Sequence, residues 1–337
     1  MKLLLITLFL FSLFSFSVNA AETDDVSFTD PVEEVVISGR RPGPPLWRLE
    51  NGENTLWVFA VVSPMPKSFE WDSSSIEHVI SQSQEYLPAP VRSVGTSNPF
   101  KAIGMLRKLK KVQKLSDDRT LADILPTEEY ETFQKLKNIY APNNKKIEHL
   151  TPLFAARELH EGAKRQHGLI EVGKISRDIA KIAKRNKLEI TKVKVHESID
   201  SKPFFEDLRS LPESTHLECM QSTLNTLNND VGALVNRAVL WADGNAQALV
   251  SDTQPQQITG GVCIEGLMQN DQVRRVIEQS RETWLNDAQQ ALEKNRSTFA
   301  VLRLEEVIEP DGLLSLLAAR GYELYGPVRG VEAGPAD

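Results

Sequence analysis

Residues 46–69, LWRLENGENTLWVFAVVSPMPKSF, restrict the fold of this chain more than any other stretch. Leu46–Leu49 and Thr55–Val62 are two apolar, β-prone runs, and the polar Glu50-Asn51-Gly52-Glu53-Asn54 between them carries turn chemistry, so the spacing predicts a β-hairpin. Its second run, LWVFAVV, is apolar almost without interruption. That pattern belongs to a strand covered on both faces, hence to a central strand rather than one wetted on one side. Ser63-Pro64-Met65-Pro66 then stops the ladder, because proline has no N–H to donate, and Asp72-Ser73-Ser74-Ser75 offers a helix cap. Ser63 therefore stands where a buried strand ends, the position at which open α/β sheets bind ligands.

Strands are expected again near the end of the chain, at Ser297–Val307, whereas the middle reads as helices. One core then requires the first and last strands to meet, giving an α/β fold with a central mixed sheet and a large helical insertion. A helix is predicted from Asp72 towards Tyr86, with Ile76, Val79, Ile80 and Leu87 on one face and Pro88 and Pro90 ending it. The interval Lys101–Lys114 is a basic helix with Ile103, Leu106, Leu109 and Val112 as its apolar stripe; it reads as a solvated face or as a contact for an anionic surface or polysaccharide. Thr151–Gly168 is a helix opened by Pro152, and its His160, Glu161 and His167 do not form the His-Glu-x-x-His zinc motif. Ser214–Val250 is the longest helical pattern, and Asp271–Lys294 is another helix.

The first twenty residues, MKLLLITLFLFSLFSFSVNA, combine one lysine, a Leu/Phe-rich run and a small-residue ending. They read as a secretory signal peptide with cleavage near Ala20, and no stable transmembrane anchor is expected after it. Residues 21–45 are acidic, then rich in Gly and Pro, and read as a flexible leader; 327–337 reads as a disordered tail, leaving 46–326 as one domain. Export makes the two cysteines, Cys219 and Cys263, candidates for one disulfide, with two separate buried thiols as the other reading. A formal net charge of −7 argues against nucleic acid as a partner.

Several phrases together resemble the TraB/GumN family (TraB/PrgY/GumN), which is related to the Tiki metalloproteases. The hairpin, strand end and helix are similar to the family's opening. Further similarities are Thr120–Pro126, Ile179–Arg185, Trp241-Ala242-Asp243-Gly244-Asn245, and above all the tail Asp311-Gly312-Leu313-Leu314 to Arg320-Gly321-Tyr322. The resemblance spans roughly residues 46–326 and, the family being mainly bacterial, implies a periplasmic or secreted protein. Members carry Gly-Thr-x-His at the first strand end and a second Gly-x-x-His before the tail helix. Here Ala60-Val61-Val62-Ser63 and Arg303-Leu304-Glu305-Glu306 fill those places, so both histidines are replaced. Val91–Gly95 lacks the glutamate that the strand after the first helix usually carries, and Lys194 stands where relatives write an acidic residue. Of the family's Arg-Asn pair only Asn286 remains, next to Leu285.

A metal-activated water needs several deprotonated ligands around one open position. Ser63 is a poor ligand and Glu306 a competent one. The resemblance and these replacements together imply a non-catalytic member that binds a peptide, a saccharide or a protein partner in the family's cleft, without a cofactor. The alternative is a divergent metal-dependent hydrolase, peptidase-like, using Glu306 and other carboxylates on a divalent metal. Candidate site residues are Ser63, Glu306 and Asn286, with Glu306 the candidate metal ligand. Ser63 as a nucleophile needs a base, for which His78 and His196 are the candidates.

Overall fold

The computed structural model describes residues 43–328 apart from 97, 171–172, 199–200, 230, 252–262 and 264–269. The expected signal peptide, most of the leader and all but two residues of the tail lie outside the described residues. The described chain opens with β1 (Leu46–Asn51), β2 (Asn54–Val61), β3 (Met65–Pro66), α1 (Ser74–Gln82), β4 (Glu85–Leu87), β5 (Val91–Gly95) and α2 (Pro99–Val112). It continues through α3 (Thr127–Tyr140), α4 (Pro152–Gln166), β6 (Leu169–Ile170), α5 (Gly173–Arg185), β7 (Glu189–Ile190), β8 (Lys194–Ser198), α6 (Ser201–Arg209), α7 (Glu213–Asn229), α8 (Val231–Ala242) and α9 (Ala246–Ser251). It closes with α10 (Asp271–Lys294), β9 (Ser297–Arg303), α11 (Leu304–Ile308), α12 (Leu313–Ala319) and β10 (Glu323–Val328).

The hairpin forms as its residues dictate, with Asn51 paired to Asn54 across a turn in which Gly52 takes a positive φ of 61°. Both strands thus run further into the polar segment than its composition indicates. The central sheet has the order β10-β1-β2-β9-β4-β7. Its β10-β1 and β1-β2 pairs are antiparallel, and β2-β9, β9-β4 and β4-β7 are parallel. The architecture is α/β with a mixed central sheet, in which β2 of the opening hairpin and β9 near the end of the chain are inner neighbours and β10 is an edge. Leu56, Val58, Phe59, Ala60 and Val61 on β2 and Phe299 to Leu302 on β9 are fully buried, as expected of strands covered on both faces.

Two differences from the sequence reading concern the chain after Ser63. The first helix stops at Gln82, and Glu85–Leu87 is a parallel strand beside β9. Ser83 Oγ donates to the Val79 carbonyl and Gln84 N to the Ser297 carbonyl, so the helix hands its chain straight to the sheet. Tyr86 and Leu87 are buried as strand residues, and Pro88 and Pro90 follow a strand rather than a helix. Val91–Gly95 lies outside the central sheet, pairing in parallel with β8. The long pattern at 214–250 is three helices, α7, α8 and α9, and Val235 on it is exposed.

At the edges of the expected domain, Gly43, Pro44 and Pro45 are already buried, and β10 continues to Val328. The helical insertion has a core of its own, in which Leu121, Phe133, Ile147, Leu159, Met220 and Leu224 pack between α3, α4 and α7. Cys219 and Cys263 adjoin that core with their sulfurs at disulfide distance, 1.98 Å. No described helix is long and apolar enough to cross a membrane.

Candidate functional site

The parallel strands β2, β9, β4 and β7 all end on the same side of the sheet, and β2 and β9 are neighbours in register, with Val61 opposite Arg303. The residues just beyond these two ends are Val62-Ser63 and Leu304-Glu305-Glu306. The sequence places the first altered motif at a strand end and the second within a strand reaching Val307; β9 instead stops at Arg303 and α11 follows, so the topology brings two strand ends side by side. The β2 end is fixed from the other flank. The first β1 residue, Leu46, pairs with Phe59, and beyond it the Ala60 carbonyl accepts from the Trp241 indole N–H at 2.7 Å. Trp241 is fully buried against Phe59 and Trp71 and anchors the core there.

Ser63 is buried at this mouth, preceding Pro64 through a cis peptide bond. Glu305 and Glu306 are the second and third residues of α11, and each is held by two arginines. Glu306 Oε1 lies 3.2 Å from Arg92 Nη2, and Oε2 lies 2.5 Å from Arg281 Nη1. Glu305 Oε1 lies 3.2 Å from Arg237 Nη2, and Oε2 lies 3.5 Å from Arg303 Nε. The arginines are positioned in turn. Arg92, on β5, donates Nε to Ser280 Oγ of α10 at 2.6 Å, and Arg281 donates Nη2 to the Asp311 carbonyl. Arg237, on α8, is 3% exposed, and its Nε and Nη1 have no hydrogen-bond partner among the described residues.

Four guanidiniums against two carboxylates give the mouth a local excess of positive charge. Gly312, from the tail phrase, makes the arrangement sterically feasible: a Cβ there would stand 2.7 Å from the Glu306 carbonyl oxygen and 2.9 Å from that of Glu309. The turn between α11 and α12 therefore closes onto Glu306 only without a side chain at 312.

The other sequence candidates lie elsewhere. Asn286 is exposed on α10 and accepts from Arg320 Nη1 at 3.0 Å, on the surface contact between α10 and the end of α12. His78 meets Gln82 at 3.2 Å and His196 meets Ser93 at 2.9 Å, so neither ring is spent on Ser63 in these bonds. Lys194 is exposed between the buried Val193 and Val195. The residues that sequence reasoning missed are Arg92, Arg237 and Arg281. They come from a short side strand and two separate helices, so no spacing in the chain links them; Arg303 alone was visible, within the second altered motif.

The donor set does not fit a divalent ion. Its one well-suited ligand, Glu306, is bound by two guanidiniums, Ser63 is a weak ligand, and no group of three or more His, Cys, Asp or Glu converges among the described residues. What the arrangement suits chemically is recognition of an anionic group, since guanidinium forks match carboxylates and phosphates. A separate groove of about 420 Å³ lies between α1 and α5, lined by Trp71 and by charges of both signs, Glu77 and Asp178 against Lys181 and Arg185. Part of that charge is spent internally, as Lys181 pairs with Asp178 and Ser73 with Glu77.

Residues 45–325 match a family model described as the TraB/PrgY/gumN family. No curated protein and no solved structure matches the chain.

Proposed function

The chain belongs to the TraB/PrgY/gumN family, and from that premise we propose that it is an exported, non-catalytic member that binds a peptide, saccharide or protein partner through an anionic group at the strand-end mouth. The observation that carries this reading is the double pairing of Glu305 and Glu306 with four arginines. A cation that took Glu306 would have to displace two guanidiniums and leave both without their carboxylate. An incoming carboxylate or phosphate meets the opposite situation. Arg237 is buried, and an anion that reached it would satisfy donors that have no partner among the described residues.

Export rests on the character of residues 1–20 and on the cysteine pair, which suits an oxidising compartment. The test uses thermal shift with three probes: an oligo-glutamate peptide, an oligogalacturonate and neutral maltohexaose. At least one anionic probe is expected to raise the melting temperature and the neutral one to leave it unchanged, with Arg237→Met abolishing the response and Arg303→Ala weakening it. The purified chain is expected to hold no stoichiometric divalent metal. Chelator-sensitive peptide hydrolysis that disappears in Glu306→Ala would replace this reading with the hydrolase.

A further inference from the structure

Helix α2 opens with Pro at its first position and with Asn98 Oδ1 accepting from the backbone N–H of Phe100 and Lys101, at 3.0 and 3.2 Å. Its inner face is taken: Met105, Leu109 and Val112 pack on Phe205 and Leu208 of α6, and Lys108 Nζ reaches Ser201 Oγ at 3.1 Å. Among the described residues no element buries the outer face. Phe100 is 83% exposed, Leu106 58% and Ile103 50%, three large apolar side chains in two turns. Arg107, Lys110 and Lys111, also exposed, follow on the same face. At 3.6 residues per turn all six fall within about 140° of the helix circumference. Lys101 and Lys114 extend the charge, and residues 96–116 contain no Asp or Glu.

The apolar stripe that sequence patterning predicts for this helix is thus split. Leu109 and Val112 serve the core, whereas Ile103 and Leu106 join Phe100 in solvent. We infer that α2 is a preformed docking helix for an anionic lipid surface, with Phe100, Ile103 and Leu106 entering the boundary between headgroups and acyl chains and the cations of its second half lying on lipid phosphates. A bilayer interface offers that combination, hydrocarbon directly beneath negative charge, over an area without a matching groove. The charge pattern is complementary to it along the whole helix, and the helix face is convex, with projecting side chains that a soft medium accommodates. The cap and the α6 contact hold the helix in place beforehand, so docking orders no chain.

The experiment is co-sedimentation of the full chain with vesicles of phosphatidylglycerol and phosphatidylcholine in equal parts, and with pure phosphatidylcholine vesicles, at about 0.05 M and about 0.5 M NaCl. The chain is expected to bind the anionic vesicles at low salt and to lose at least about tenfold in partitioning at high salt or on neutral vesicles. Phe100→Ser with Ile103→Ser and Leu106→Ser, and separately Arg107→Glu with Lys110→Glu and Lys111→Glu, are each expected to weaken binding by about tenfold or more. Both sets change exposed positions, so an unaltered melting temperature verifies the fold. Binding that survives both sets places the membrane contact elsewhere, in residues 1–20 for instance, and overturns the inference. So does absence of binding, or a wild-type chain that self-associates through α2 and ignores lipid.

Discussion

At the residue scale, the mouth depends on two facts about single positions, the pairing of Glu306 and the missing side chain at 312. Gly312 is extended, with a φ of −65° and a ψ of 163° that any residue adopts, so its role is space rather than backbone freedom. A methyl group there meets two backbone carbonyls, which cannot swing aside as a flexible side chain would. Gly312→Ala is expected to cost about 1–3 kcal/mol, the usual range for overpacking. If the strain is relieved by moving α11, the Arg281–Glu306 pair is lost with it. Gly312→Ala and Glu306→Gln should then be non-additive by more than about 0.5 kcal/mol in a double-mutant cycle of denaturant unfolding. Additive effects would mean that α12 moves instead and that the glycine has no part in holding Glu306. Ser63, at the same mouth, was legible from the proline-terminated strand. The arginines were not, because a guanidinium is informative only when its partner is known, and here the partners lie 214 positions away for Arg92 and 68 for Arg237.

At the scale of elements, periodicity gave the long segments and missed the short ones. The hairpin, β9, α2, α4 and α10 each present enough residues for an apolar pattern to declare itself. Strand β4 has three residues and β7 two, and their backbone partners come from distant sequence, so nothing local distinguishes Glu85–Leu87 from one more turn of helix. The junction between elements that matters most for the site is α8 against β2. There the Trp241 indole supplies the hydrogen bond that β1 no longer reaches to give, and Ala60 has no access to water in its place. Trp241→Phe keeps an aromatic ring in the core but leaves that carbonyl without its donor. It is expected to lower stability by about 1–3 kcal/mol, seen as a shifted denaturant midpoint with an unchanged slope. An unchanged midpoint would show that the carbonyl finds another partner and that the strand end is secured by packing alone.

At the scale of the molecule, the two ends of the parallel strands hold different partly buried charges. The end that holds Ser63 and Glu306 is dominated by arginine. At the other end Glu85, 5% exposed, accepts from Thr191 Oγ1 and from Asn295 Nδ2 at 2.7 Å, and Asp287 of α10 is half-buried nearby. Burial first, and then the negative charge of Glu85, pushes the Asp287 carboxyl above the usual aspartate range. The native state therefore holds on to a proton that the unfolded chain has released, across the window between the ordinary aspartate value, about 3.9, and the raised native one. Stability contributed by the neutral acid is present below that window, falls as pH rises through it, and is absent above it, where an ionised Asp287 opposes folding. Asp287→Asn removes the charge at nearly constant shape. It should raise the melting temperature at pH 7, and the gain should shrink towards nothing near pH 3, where wild type and variant are both neutral at 287. A gain of the same size at both pH values would trace the effect to packing instead, and a loss at pH 7 would mean that the ionised carboxylate has a stabilising partner that outweighs its burial beside Glu85.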